Sequence, residues 1–497
     1  MKQLSLRKWL GVAALAWACS GAWAQGVPGA EGGASAAASA PGAEASAVLV
    51  VDAASLPASQ AVAPLAASAP SAPASAASGA ASASTGYPAM VPVASLSAGD
   101  TAWMIMASVL VLMMSLPGLA LFYAGMVRKK NILGTMAQVL AISALVTLLW
   151  VGVGYSLAFM PGDGWVGSLG STWLASVRFD KAAGLVSTHP LAPTVPEAVF
   201  VMFQLTFAII TPALIVGAFA ERMRFSALIW FVVLWSLCVY APVAHWVWSQ
   251  DGWLAQMGAL DFAGGTVVHI NAGVAGLVAA YMVGQRQGFG RVALMPSNLG
   301  YTMMGAALLW VGWMGFNGGS AGAADGRAGM AVLVTQVAAS AAALSWMLAE
   351  WLVRRTPTLL GLCSGAVAGL VAITPASGFV GVGSAALIGL VAGIGCYWGA
   401  TGLKRLLGAD DSLDVFGVHG VGGLIGAILT GALADPVIGG ASGSVVTQLI
   451  AAGATLVYSG VMTALLLWLV KLVIGLRLTE RQEQEGLDLS QHGERVE

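Results

Sequence analysis

Two histidines, His269 and His419, sit inside long apolar runs, and each follows an acidic residue near the start of its run. The runs read Asp261-Phe-Ala-Gly-Gly-Thr-Val-Val-His269 and Asp414-Val-Phe-Gly-Val-His419-Gly. An ionisable group at bilayer depth is costly, so it faces a cavity or another polar group and marks a pathway. A neutral imidazole both donates and accepts hydrogen bonds and can exchange a proton. Two of them suit a narrow conduit for something small that can gain or lose a proton. That chemistry points to transport and not to an enzyme pocket; the apolar runs hold no nucleophile–base set and no metal-ligating cluster.

The elements that must position these residues are membrane helices. Of the 497 residues, 58% are hydrophobic and 9% charged, against about a quarter charged in a soluble domain. The net charge of −1 and the lack of a basic stripe exclude a nucleic-acid partner. Cys19 falls in a leader-like segment, and Cys238, Cys363 and Cys396 are scattered through apolar runs without CxxC spacing. They read as small core residues, with no disulfide or metal role.

Residues 1–24 have the form of a secretory signal: Lys2, Arg7 and Lys8, an apolar core, then Ala22-Trp-Ala24 as a small-x-small cleavage site. Residues 25–97 are almost entirely Ala, Ser, Gly, Pro and Val and predict a disordered extracytoplasmic tail. A membrane domain over 98–476 and a polar cytoplasmic tail over 477–497 follow. Within the domain, eleven apolar segments predict an all-α polytopic protein: 102–127, 132–160, 197–220, 225–248, 264–284, 297–319, 328–352, 358–374, 382–403, 413–433 and 445–475.

Positive charges follow the odd-numbered segments: Arg128, Lys129 and Lys130; Arg222 and Arg224; Arg286 and Arg291; Arg354 and Arg355; Lys404 and Arg405; then Arg477, Arg481 and Arg495. The alternate loops hold only Arg178, Lys181 and Arg327. This alternation predicts the N-terminus outside and the C-terminus inside. Gly361, Gly365 and Gly369 form a GxxxGxxxG face, and Gly422 with Gly426 another, both suited to close helix packing. His269 on the fifth segment and His419 on the tenth, with Phe122-Tyr-Ala-Gly125 echoed by Phe316-Asn-Gly-Gly319, suggest two inverted five-helix repeats plus a final helix.

The runs around the histidines resemble the ammonium transporter (Amt/Rh) family, in its bacterial Amt branch. The resemblance covers nearly everything from Ala102 onward and includes Leu116-Pro-Gly-Leu-Ala-Leu-Phe-Tyr-Ala-Gly125, Gly217-Ala-Phe-Ala-Glu-Arg-Met-Arg-Phe-Ser226 and Asp261 through Asn271. It continues through Trp310-Val-Gly-Trp-Met-Gly-Phe-Asn-Gly-Gly-Ser320 and Asp410-Asp-Ser-Leu-Asp-Val-Phe-Gly-Val-His-Gly420. What the resemblance implies is specific. Trp248, Phe207 and Ser320 would recruit ammonium, with Asp261 organising that site or serving only as a helix cap. Phe207 and Phe316 would stack as a gate, and His269 and His419 would line the pore as a neutral, hydrogen-bonded pair that can relay a proton. By position alone, Asp414 reads as a structural cap at the cytoplasmic start of the tenth helix and His245 as structural, and nothing marks His189 or His492.

The resemblance further implies a homotrimer in the bacterial inner membrane that takes ammonium or ammonia, and methylammonium. It needs no cofactor, and a PII-type signal protein meets its cytoplasmic tail. Two features depart from the family pattern: the tract before the first helix, and the loop Ser249-Gln250-Asp251-Gly252-Trp253, which is bulkier than the usual glycine-rich stretch. Competing readings are an ammonium sensor signalling through its tail and an Rh-like neutral-gas channel. The Trp248 and Ser320 set argues against the latter.

Overall fold

The computed structural model describes Tyr87 and residues 89–496; the signal-like segment and the tract up to residue 86 lie outside the described residues. Among the described residues, ten helical units are long and apolar enough to cross a bilayer. They are α1 (Ala98–Met126), α2 (Lys129–Phe159), α3 (Glu197–Phe219), α4 (Phe225–Gln256), α5 (Gly265–Val283), α6 (Leu299–Gly319), α7 (Gly326–Arg354), α9 (Val382–Leu407), α10 (Phe416–Leu433) and α11 (Val445–Val473). Between α7 and α9 lies α8, Leu359–Ile373, apolar and almost wholly buried. Its 15 residues reach about 22 Å, short of the roughly 30 Å hydrocarbon core. Helices prevail because lipid offers the backbone no hydrogen-bonding partner, so each segment must satisfy its own amides and carbonyls.

Side-chain caps set several helix starts. Ser97, Asn298, Asp325, Thr358 and Ser444 each accept a backbone N–H of the first turn. Wide π turns interrupt others, including Met114–Leu119 around Pro117, Gly265–Ile270 and Phe416–Gly420. Glycines then allow close crossings. A Cβ at Gly365 or Gly369 would run into α7 at Ala342 and its neighbours, so the GxxxGxxxG face does pack helix on helix. The crossing that matters most is between α5 and α10. A Cβ at Gly273 would strike the backbone of Gly420, and one at Gly423 the backbone of Gly265 and Ile270.

The side at which α1 and α3 begin carries a small antiparallel sheet: β1 (Ala89–Pro92), β2 (Phe179–Asp180), β3 (Leu185–His189) and β4 (Ala192–Pro196), with β3 pairing all three others. This corrects the expectation of an unstructured tail up to residue 97. Met90 pairs with Ser187, Tyr87 Oη donates to Glu197 at 3.1 Å, and Ser97 caps α1, so the last stretch before the membrane is tied to the loop ahead of α3. His189, unmarked in the sequence, is buried there and stacked on Phe200 at 4.0 Å. Its pKa is pushed down to about 3 by burial.

On the opposite side the tail folds back. After α11, Leu478 N–H donates to the Arg222 carbonyl at 3.0 Å, and Arg224 Nε to that of Arg477 at 2.7 Å. The short helix α12 (Glu480–Glu485) opens with a capping box at Thr479 and Gln482. Buried Glu483 accepts from Gln287 N–H at 2.8 Å and from Arg477 at 2.7 Å. Asp488 accepts from Gly134 N–H at 2.7 Å, at the start of α2.

Candidate functional site

The site begins with two carboxylates at helix starts. Asp261 precedes α5, and both its oxygens are occupied by backbone donors: Gly264 and Gly265 on Oδ1 at 3.0 and 2.6 Å, Thr266 and Val267 on Oδ2 at 2.9 and 3.0 Å. Gly264, at φ 111°, makes the sharp entry that aims these amides at one carboxylate. Burial raises the Asp261 pKa, and the four amides pull it back. The Asp261 carbonyl meanwhile accepts from Trp248 Nε1 at 2.9 Å, so one residue fixes both the helix start and the indole.

At α10 the equivalent residue is Asp411. Its oxygens take Val415 N–H at 3.0 Å and Phe416 N–H at 2.8 Å. Asp411 stands eight residues before His419, as Asp261 does before His269, and that shared spacing is the signal in the sequence. The expectation that Asp414 caps this helix is corrected: Asp414 adopts a left-handed φ of 59° and pairs with Lys404.

Towards the sheet side of the histidines, a cavity of about 280 Å³ is lined by Phe203, Gln204, Phe207, Trp248, Asp261, Phe262, Ser320, Arg327 and Phe379, among others. Phe207 meets Trp248 edge to face at 5.8 Å and stacks on Phe316 at 4.1 Å, with 28° between the rings. Phe207 and Phe316 are both buried. Ser320 Oγ donates to the Phe316 carbonyl at 2.8 Å, which leaves the hydroxyl lone pairs as acceptors. One cavity thus carries an indole and a hydroxyl acceptor, the two kinds of group that can meet an N–H-bearing cation.

Below the stacked phenylalanines lies a second cavity of about 10 Å³, lined by Phe316, Trp313, His269, His419 and apolar residues including Leu119, Ile210, Leu214 and Val367. That is close to the smallest space that holds one water-sized molecule. His269 and His419 face each other Nδ1 to Nδ1 at 3.3 Å, with ring centroids 5.3 Å apart. They meet because the π turns Gly265–Ile270 and Phe416–Gly420 cross where glycines leave no Cβ in the way. A single proton shared between the Nδ1 atoms gives a neutral pair in which one Nε2 carries a proton and the other is bare. One donor and one acceptor are thus available along the passage. His269 Nε2 is buried without a protein partner.

Trp313 is a site residue that the sequence did not single out. Its indole stacks on His269 at 5.4 Å and 23°, held by Nε1 donating to Thr374 at 2.9 Å. It lies three residues before Phe316, on the same face of α6, and that i, i+3 relation could have found it. His245 is apart from the site, its two ring nitrogens facing the Ala158 and Asp163 carbonyls at 3.0 and 2.8 Å.

Residues 102–497 match the model of the Ammonium Transporter Family. An ammonium transporter of Bacillus subtilis is 47% identical over 406 residues, 80% of this chain and 98% of that protein. One from Aquifex aeolicus is 49% identical over 404 residues, 80% of this chain and 93% of its own. Among solved structures, Saccharomyces cerevisiae Mep2 superposes with a TM-score of 0.72 at 37% identity, covering 78% of this chain and 89% of Mep2. A structure titled Sensor Amt Protein gives 0.73 at 29% identity, covering 79% of this chain and 98% of that one. A family match over most of the chain and relatives close to half identical lead to one conclusion: the chain belongs to the ammonium transporter family.

Proposed function

We propose that the chain imports ammonium-derived nitrogen by recruiting NH4+ at Trp248, Phe207 and Ser320, with Asp261 positioning that site. The ion gives up its proton near the Phe207–Phe316 gate, either back to the outer solution or to the imidazole pair for relay, and NH3 passes that pair and regains a proton in the cytoplasm. The observation that carries the reading is the ring stack of Phe207 on Phe316, set directly over a one-molecule cavity whose polar lining is His269 and His419. A hydrated cation would shed its water there without replacement ligands, whereas a neutral molecule loses little. Methylammonium fits the same chemistry and serves as the tracer substrate.

The accompanying architecture is eleven spans, with α8 as the short eighth, in two inverted five-helix repeats and a final helix. The N-terminus is outside and the C-terminus inside a bacterial inner membrane. The alternating positive loops and the matched Asp–His spacing on α5 and α10 support this arrangement. The protein works as a homotrimer with one pore per subunit, and a PII-type signal protein meets the docked cytoplasmic tail.

An ammonium pulse applied to proteoliposomes tests the proposal. A saturable inward current indicates NH3 with a relayed proton; internal alkalinisation without current indicates neutral conduction. Silence in both contradicts transport and favours the second reading, an ammonium sensor. That reading draws on the likeness to the structure titled Sensor Amt Protein and on the tail that links the cytoplasmic loops.

A further inference from the structure

Positive charge is scarce on the outer loops of this chain, and two of its three bearers there, Arg178 and Lys181, are at the small sheet. Arg327 is different. It stands at the start of α7, half-buried, with its guanidinium carbon 4.8 Å from the Phe262 ring centroid and 4.9 Å from that of Phe379. The two rings meet edge to face at 5.8 Å, and Arg327 Nε donates to the Gly378 carbonyl at 3.0 Å. All three side chains line the same outer cavity as Trp248 and Ser320. Two carboxylates stand near, and each is engaged elsewhere: Asp261 by four backbone amides, Asp325 by Ala328 N–H at 2.8 Å.

Aromatic faces attract cations, so a vestibule with several rings offers more than one place for a positive ion to lodge. Arg327 already covers one such pair of rings with its own charge. We propose that Arg327 is a specificity-determining residue of the outer mouth. It removes the Phe262–Phe379 pair from cation binding and, through its charge, lowers cation occupancy of the vestibule. What remains is the Trp248–Ser320 station, which holds cations able to donate an N–H and releases those that cannot. This inference rests on the ammonium-transport reading.

The test uses the full-length protein in proteoliposomes, with methylammonium as substrate and tetramethylammonium, an aromatic-binding cation without N–H, as competitor. Two neutral variants are compared, Arg327→Gln, which keeps a donor for Gly378, and Arg327→Met, alongside the charge-keeping Arg327→Lys. Both neutral variants are expected to lower the half-saturating methylammonium concentration by roughly two- to fivefold at low ionic strength, with the difference closing in high salt. They also become sensitive to tetramethylammonium, while Arg327→Lys stays near wild type.

Unshifted half-saturation and competition in the neutral variants overturn the inference. So does an equal, salt-independent loss of maximal rate in all three, the mark of a residue that only braces Gly378. Wild-type vesicles without saturable uptake overturn the transport reading itself, whereas wild-type uptake with unshifted neutral variants overturns this inference alone.

Discussion

At the residue scale, the proposed mechanism divides the labour: the stacked phenylalanines would exclude the hydrated ion, and the imidazole pair would receive what is left. Phe316 is fully buried against Phe207, Trp313 and His269, so its removal changes both selectivity and packing. Phe316→Ala is expected to cost about 3–5 kcal/mol of stability and to join the two cavities into a wetter passage. Potassium flux into vesicles should then rise at least tenfold over wild type; a variant that still excludes potassium would place the barrier elsewhere. The chemistry-bearing residues were legible because an ionisable side chain in an apolar run is costly and persists there only with a polar task to perform. Arg327 was visible only as an exception to the charge bias, and Trp313 looked like any other buried indole. What the sequence could not supply is mutual distance: the 3.3 Å contact joins residues 150 positions apart.

At the element scale, a buried carboxylate at the start of each histidine-bearing helix holds a wide first turn in place. Asp411 has its pKa raised to about 6, first by burial, with Asp414 adding to the effect and Lys404 and two backbone amides opposing it. A carboxyl whose folded pKa lies above its ordinary value of 3.8 binds more protons in the native state than in the unfolded one. Its contribution to stability is therefore full below about pH 4 and is lost as pH rises towards 6. The size of that loss is roughly 3 kcal/mol. Asp411→Asn removes this slope, so its unfolding temperature in detergent should gain on wild type between pH 4 and pH 7. Parallel curves for the two proteins would show that Asp411 does not titrate in that window. The helices themselves were readable from apolar length, and the GxxxGxxxG face from spacing. The cap of α10 was not, because Asp410, Asp411 and Asp414 are adjacent acids and only the backbone path, with Asp414 in a left-handed turn, decides which one meets the amides.

At the scale of the whole molecule, the two faces are both tied down: a sheet joins the entry of α1 to the entry of α3 on one, and the tail joins α2, the entry of α4 and the loop after α5 on the other. Glu483 is the hub of the inner tie. Glu483→Ala leaves the Gln287 amide without its acceptor and Arg477 without its carboxylate partner, and should make the tail several-fold more sensitive to limited proteolysis. Unchanged cleavage would mean that the remaining contacts suffice: Gly134 N–H to Asp488, and Lys130 Nζ to the Glu483 backbone carbonyl at 2.9 Å. Strand pairing of residues 89–92 escaped the sequence because an Ala/Met/Val/Pro stretch beside a low-complexity tract carries little pattern of its own; its partner β3 lies far along the chain. The central claim is that selective passage runs between His269 and His419. Saturable methylammonium uptake into proteoliposomes, compared between wild type and His269→Ala with His419→Ala at matched folding by gel filtration, tests it most directly. The account predicts that the double variant loses at least tenfold of that uptake or gives up its discrimination against potassium; selective, saturable uptake at the wild-type level in the double variant would contradict it.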